Sequence, residues 1–150
     1  MNSKASGVFA QYRKKTLFLL IGTNPLPNYV AALLLAQDGG NVHLLHTSAT
    51  EMIAQLLSCQ IKRKRPSLNV DPYEIHAADG SAISAQLETI LDKTRPPQDS
   101  VGFNYTGGTK PMAVHVFGGL CSRFPTACLS YLDARSLKMY INQGKEPTQV

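Results

Sequence analysis

Apolar residues in this chain fall into short unbroken runs separated by segments of helical period. Thr16–Gly22 (T-L-F-L-L-I-G) is a continuous apolar run, the pattern of a central parallel strand buried on both faces. Asn41–His46 (N-V-H-L-L-H) reads as a second strand. Val70–Ala77 is a third, weakened by Pro72, and Ser100–Tyr105 a fourth. Between them the period changes. A helix opens at Pro27 or Asn28 and runs to about Gln37, with Gly39-Gly40 at its C-cap. Ser48-Ala49-Thr50-Glu51 has the form of a capping box for a second helix that reaches Lys64 and is closed by Pro66. Asp79-Gly80 or Ser81 caps a third, with Ile83, Leu87, Ile90 and Leu91 on one face and Pro96-Pro97 as its stop. A fourth covers Pro111–Arg123. Ala127–Asp133 and Leu137–Asn142 form a hairpin at Ala134-Arg135-Ser136.

Four strand–helix units in succession, with apolar rather than alternating strands, predict an α/β fold: a parallel sheet with helices on both faces and a C-terminal β-hairpin. Residues 1–15 are expected to be a flexible tail, 16–143 the domain, and 144–150 a tail or the start of a linker. In 150 residues there is room for one domain with a real core.

Composition changes this picture little. The chain is 43% hydrophobic and 17% charged, ordinary for a soluble globular protein. Net charge is +5, from fifteen Lys plus Arg against ten Asp plus Glu. That leans toward an anionic partner, but weakly, because the excess sits in two runs read as solvated ends: Arg13-Lys14-Lys15 and Lys62-Arg63-Lys64-Arg65. Cys59, Cys121 and Cys128 have neither metal-ligand nor redox spacing, which points to a reducing cytoplasm. Leu17–Ile21 is too short for a signal peptide or a membrane span.

Chemistry concentrates in Val101–Met112 (V-G-F-N-Y-T-G-G-T-K-P-M). A strand leads into Thr106-Gly107-Gly108-Thr109-Lys110, and Pro111 suits the first turn of the helix that follows. Glycines let backbone N–H groups approach a ligand, a helix start adds partial positive charge, and Lys110 adds a full one: an anion cradle. It is not a P-loop, since Thr109 precedes the lysine and Pro111 follows it, and G-x-G-x-x-G is absent. The plainer alternative is a Gly-rich turn with a solvated lysine. Ligands of open α/β sheets bind beyond the carboxyl ends of the strands, which groups Gly22–Pro27, Thr47-Ser48 and Asn104–Lys110 on one edge. That edge is rich in hydroxyls, amides and glycine and poor in carboxylates, suiting phosphate and nucleobase; neither a metal site nor a cofactor is expected. His46 precedes this edge. His43 and His115 read as packed or rim histidines, and Tyr105 as a core aromatic. Asp71, Glu74 and His76 have no lysine at nuclease spacing, which argues against a metal nuclease.

Phe103–Met112 resembles the signature of CARF domains, the CRISPR-associated Rossmann fold family. Asn104, two before Thr-Gly-Gly-Thr-Lys, Lys110 itself and Met112, two after it, match. So do Gly22-Thr23-Asn24 with the downstream Pro27-Asn28, Thr47-Ser48 before a capped helix, and the closing hairpin. The resemblance covers about residues 16 to 143. It implies a Rossmann-like fold and a two-fold homodimer binding a cyclic oligoadenylate of four or six adenylates in type III CRISPR antiviral signalling. Gly107, Gly108, Thr109 and Lys110 would hold phosphates, and Thr23, Asn24, Thr47 and Ser48 would read ribose or adenine. Asn104 would orient the turn, and Gly22, Thr106 and Met112 would line the site. Most members carry an effector domain, which this chain has no room for. Two readings therefore stay open. One is a homodimeric sensor, with a C-terminal effector absent from this chain. The other is a stand-alone, metal-independent ring nuclease in which Lys110 and Thr23 stabilise attack of a ribose 2′-OH on its neighbouring phosphate, giving 2′,3′-cyclic phosphate ends. A nucleotide-dependent metabolic enzyme fits less well, because no acidic ribose partner follows a glycine fingerprint.

Overall fold

The structure, a computed structural model, describes residues 7–141 and 148–149. Its elements are β1 (Lys14–Leu20), α1 (Leu26–Leu35), β2 (Ala36–His46), α2 (Glu51–Lys64), β3 (Asn69–Glu74), α3 (Gly80–Thr94), β4 (Val101–Asn104), α4 (Lys110–Arg123), β5 (Cys128–Asp133), β6 (Lys138–Ile141) and the two-residue β7 (Thr148–Gln149). Strand order is β3-β2-β1-β4-β5-β6-β7. The first five strands are parallel, β6 runs antiparallel to β5, and β7 antiparallel to β6. This is the expected α/β, Rossmann-like sheet with its closing hairpin.

Both sheet faces are buried, which is why β1 is a continuous apolar run. Leu17, Leu19 and Ile21 pack with Ala31, Leu34, Leu57 and Ile61 of α1 and α2. Phe18 and Leu20 point the other way, to Ile83, Leu87, Met112 and Val116 of α3 and α4. The apolar face of α3 forms as expected, with Ile83, Leu87, Ile90 and Leu91 all buried.

Four expectations need correction. Residues 7–15 are not a loose tail: Phe9 and Tyr12 are buried in the core around a 3-10 turn at Ala10–Tyr12, and β1 already begins at Lys14. Apolar area outweighs the polar sequence around it. Gly39-Gly40 do not cap α1, which ends at Leu35 and passes directly into β2. Gly39 instead has φ +75°, beside a break in the β1–β2 register, and a Cβ on Gly40 would lie 2.5 Å from Lys15 O. These glycines serve a bulge and a close strand approach. The cap before α2 uses Thr47 and Thr50, not Ser48 and Glu51: Thr47 N–H donates to Thr50 Oγ1 at 3.0 Å, over a 3-10 turn at Ser48–Thr50. Finally, Thr148–Gln149 pair with β6 as a strand inside the segment expected to be tail; residues 142–147 lie outside the described ones.

Candidate functional site

In this strand order the chain adds β2 and β3 outward on one side of β1 and then crosses back to place β4 on its other side. The crevice between the carboxyl ends of β1 and β4 is thus the topological switch point, where such sheets bind ligands. The two loops there are Gly22-Thr23-Asn24 and Thr106-Gly107-Gly108-Thr109, and they touch backbone to backbone. A Cβ on Gly107 would lie 2.3 Å from Leu20 O and 2.8 Å from Gly22 N, and one on Gly22 would lie 3.2 Å from Gly108 N. Gly108 adds φ +81°. The glycines are needed first to let the two loops abut.

The cradle is pinned from three sides. Asn104 is fully buried: its Oδ1 accepts from Thr106 N–H at 3.2 Å, and its Nδ2 donates to Ser130 Oγ at 3.0 Å. Thr106 Oγ1 accepts from Leu132 N–H at 2.8 Å, tying the turn to β5. Thr109 is the N-cap of α4, accepting from Met112 N–H at 3.2 Å, while its hydroxyl donates to Ala77 O at 2.6 Å, across to the loop after β3. Thr109 N–H points at Met112 Sδ, 3.4 Å away. Across the crevice, Asn24 Oδ1 accepts from Leu26 N–H at 3.2 Å, and the buried Asn28 donates to Leu20 O at 2.8 Å, seating the start of α1 on the end of β1.

Three adjoining hollows follow. The first, about 290 Å³, is lined by Gly22, Thr23, Asn24, Thr106, Gly107 and Gly108, with Pro27 at its side. The second, about 310 Å³, shares Gly22, Thr23 and Gly108 with it and adds Thr47, Thr109 and Met112. The third, about 190 Å³, shares Thr47 and Ala77 with the second and is lined by Ser48, Glu74, His76 and Gln86. Together they run along the carboxyl edge of the sheet from β4 past β1 to β3. Ten of the twelve expected site residues line this trough. The other two do not: Asn104 lies beneath the turn, and Lys110, exposed at the first position of α4, stands outside the linings. The hydroxyls of Thr106 and Thr109 are engaged inward, whereas Thr23 is exposed and lines both of the first two hollows.

The sequence reading missed Glu74, His76 and Gln86. Only part of the signal was in the sequence: in a parallel sheet β3 ends on the same edge as β1 and β4, so Glu74 at its end and the residues just after it come to that edge. The other expected histidines are structural. His46 Nδ1 lies 2.8 Å from Thr47 O, and a Cβ on Gly80 would lie 2.2 Å from His115 Nε2, so His115 fills the space above that glycine. Among the described residues no three His, Cys, Asp or Glu side chains gather as a metal site, and no helix is long and apolar enough to cross a membrane.

No family model and no curated protein matches the chain by sequence. Solved structures do match in fold. Can2 from Sulfobacillus thermosulfidooxidans, in complex with cyclic tetra-adenylate, aligns over 97% of this chain with TM-score 0.74 and 20% identity. Protein VC1899 from Vibrio cholerae aligns over 90% with TM-score 0.72 and 21% identity. Csm6 from Enterococcus italicus, bound to cyclic hexa-2′-fluoro-hexa-dAMP, aligns over 81% with TM-score 0.62 and 16% identity. The chain spans 39%, 35% and 34% of these three proteins. Both ligand-bound neighbours hold a cyclic oligonucleotide, and the Rossmann-like fold expected from the Thr-Gly-Gly-Thr-Lys segment is the one this chain shares with them.

Proposed function

We propose, on the premise of that shared fold, that this chain binds a cyclic oligoadenylate, cyclic tetra-adenylate foremost, as a homodimeric cytoplasmic sensor in type III CRISPR antiviral signalling, with an effector domain as its output. One observation carries the reading: the Thr106–Lys110 turn and the Gly22–Asn24 turn abut at the switch point and frame a continuous, hydroxyl- and amide-rich trough beside the N-terminus of α4. Phosphates would sit against the turn at that helix start, with Lys110 supplying charge from the rim.

Lys110 gives the test. Lys110→Ala is expected to weaken cyclic tetra-adenylate binding about tenfold to a hundredfold, the loss of one charge-assisted contact. Folding stability should change by no more than about 0.5 kcal/mol, because the side chain is exposed. Lys64→Ala, at the exposed end of α2, should bind almost as the parent does. Calorimetric titration at two salt concentrations separates a specific contact from a general positive field. Equal losses in both variants that vanish together in high salt would overturn the cradle.

Thr23 favours a second reading, a metal-independent ring nuclease, since it is exposed and lines two hollows while the hydroxyls of Thr106 and Thr109 are engaged. The ribose 2′-oxygen would attack the adjacent phosphorus, the bond from phosphorus to the 5′-oxygen would break, and the 2′-OH proton would pass through solvent to that oxygen. Thr23 and Lys110 would stabilise the phosphorane charge. Labelled ring incubated with protein and excess EDTA decides it: linear products ending in 2′,3′-cyclic phosphate support cleavage, and intact ring leaves the sensor.

A further inference from the structure

The third hollow, where β2 and β3 end, has a chemistry the phosphate cradle lacks. His76 Nδ1 accepts from two backbone N–H groups, Ala78 at 3.0 Å and Asp79 at 2.8 Å. In the neutral ring the proton therefore sits on Nε2, and the imidazole is held as a fixed donor. Gln86 Oε1 accepts from His76 N–H at 2.7 Å, which fixes that amide with its NH₂ available as a second donor. Two residues before His76, the Glu74 carboxylate lines the same hollow and can only accept. A held donor in a hollow that also carries a carboxylate acceptor is the complement of an adenine edge, where the exocyclic amine donates and the adjoining ring nitrogen accepts. The space of about 190 Å³ is smaller than the roughly 300–1,000 Å³ of a site for a whole drug-sized ligand, and in proportion to one base.

We infer that this hollow is a nucleobase subsite in which Glu74 accepts from the 6-amino group of an adenine and His76 Nε2–H donates to N7, the ring nitrogen that stays an acceptor in hypoxanthine as well. The inference rests on the ring-binding reading, because the second hollow joins this one through Thr47 and Ala77, so that a base attached to a phosphate at the cradle side can extend into it. It makes the trough selective as well as anion-binding. Hypoxanthine and guanine carry an oxygen in place of the amine, and that oxygen would face the Glu74 carboxylate, lone pair to lone pair. Sites built to receive a particular hydrogen-bonding group reject analogues that lack it, because the site's own polar atom is left unpaired.

Binding of cyclic tetra-adenylate and cyclic tetra-inosinate to the whole chain, followed by calorimetry, is the experiment. The parent protein should prefer the adenylate ring by about tenfold to a hundredfold, as expected for one hydrogen bond to a charged group. Glu74→Gln should bring the two rings within about threefold of each other, since a primary amide serves either edge equally. His76→Asn keeps an acceptor near the Nδ1 position for the loop N–H groups and removes the Nε2 donor, so adenylate binding should fall about tenfold. Lys110→Ala should weaken both rings by the same factor, separating phosphate from base. Glu74 and His76 are exposed, and unchanged melting temperatures confirm folded variants; Glu74→Ala serves if the glutamine variant is unstable. A parent that binds both rings equally, or a Glu74→Gln variant that still discriminates, overturns the subsite and leaves ring binding standing. A parent that binds neither ring overturns both.

Discussion

At the scale of single residues, the glycines of the cradle separate two physical roles. Gly107 is hemmed in by backbone, so Gly107→Ala places a Cβ 2.3 Å from Leu20 O, which no rotamer change relieves. It should cost at least about 1–3 kcal/mol and disturb the turn. Gly118, exposed in α4 with nothing within 4 Å of an added Cβ, should behave oppositely. Gly118→Ala is expected to stabilise by about 0.5–1 kcal/mol, since glycine is a poor residue in a helix interior. Urea melts of the two variants measure both. His43 makes a different point. It is buried between the Phe18 and Tyr73 rings, at 5.0 and 5.6 Å, and its Nδ1 has no hydrogen-bond partner among the described residues. Burial pushes its pKa below the ordinary 6.5, against the opposing pull of Asp71, its neighbour in register on β3. Above about pH 6.5 both folded and unfolded forms are neutral and the group contributes no pH dependence. As pH falls below that value, the unfolded chain takes up the proton first, so stability declines toward the lowered native pKa. His43→Leu should flatten that decline as pH falls below 6.5, as read from urea midpoints across the acid range.

At the scale of elements, the basic runs turn out to have structural work. The last turn of α1 exposes carbonyls that the immediate entry into β2 cannot cap with a glycine. Arg65 Nη1 donates to Ala32 O and Leu33 O at 3.3 and 3.1 Å, and Arg13 Nε donates to Leu34 O at 3.2 Å. Arg65 also pairs with Asp38, whose carboxyl it holds below its usual range. One end of each run thus closes the same helix terminus, where positive charge is favoured. Arg65→Ala should cost about 1–3 kcal/mol by removing the side-chain donor to Leu33 O and the second one to Ala32 O, which keeps the Ala36 N–H, whereas Arg63→Ala, on the exposed end of α2, should fall within about 0.5 kcal/mol of the parent in thermal melts. The α3–α4 pair is set by small residues as well: a Cβ on Gly119 would lie 2.6 Å from Leu87 Cδ2. Those two helices lie close because glycine permits it.

At the scale of the whole molecule, Lys110 stands on the rim outside the trough, and beside it lies an exposed apolar face. Val114 and Phe117, four and seven residues along α4 from Lys110, share its side of the helix; Phe117 meets Tyr105 at 5.8 Å, and Tyr105 meets Tyr131 at 5.7 Å. The homodimer proposed with the sensor would place such a face against its copy, because a symmetric ring calls for an isologous pair. Light scattering at micromolar concentration, with and without cyclic tetra-adenylate, should report a dimer, and Phe117→Asp should shift it toward monomer. A monomer under both conditions would remove the two-fold arrangement.

Strand and helix order, the doubly covered sheet and the cradle segment were legible in the sequence because each depends on local periodicity and on backbone demands that neighbouring residues declare. Thr16–Gly22 could only be a strand buried on both faces, and Thr106–Lys110 could only be a strand-to-helix turn. What the residues did not declare depends on distant partners. Gly39-Gly40 have the form of a helix cap, and only their nearness to Lys15 makes them a bulge in β2. Phe9 and Tyr12 sit in polar surroundings along the chain and become core only when the sheet forms beneath them. Thr106 and Thr109 look like free hydroxyls until β5 arrives to donate to the first and the loop after β3 to accept from the second. Glu74 and His76 gain meaning only from β3 lying two strands from β1, which brings their side chains to the edge where the cradle opens. Local sequence thus determined the elements and the turn, while tertiary packing decided which polar groups of that edge are engaged inward, because hydrogen-bond satisfaction is settled between segments far apart in the chain.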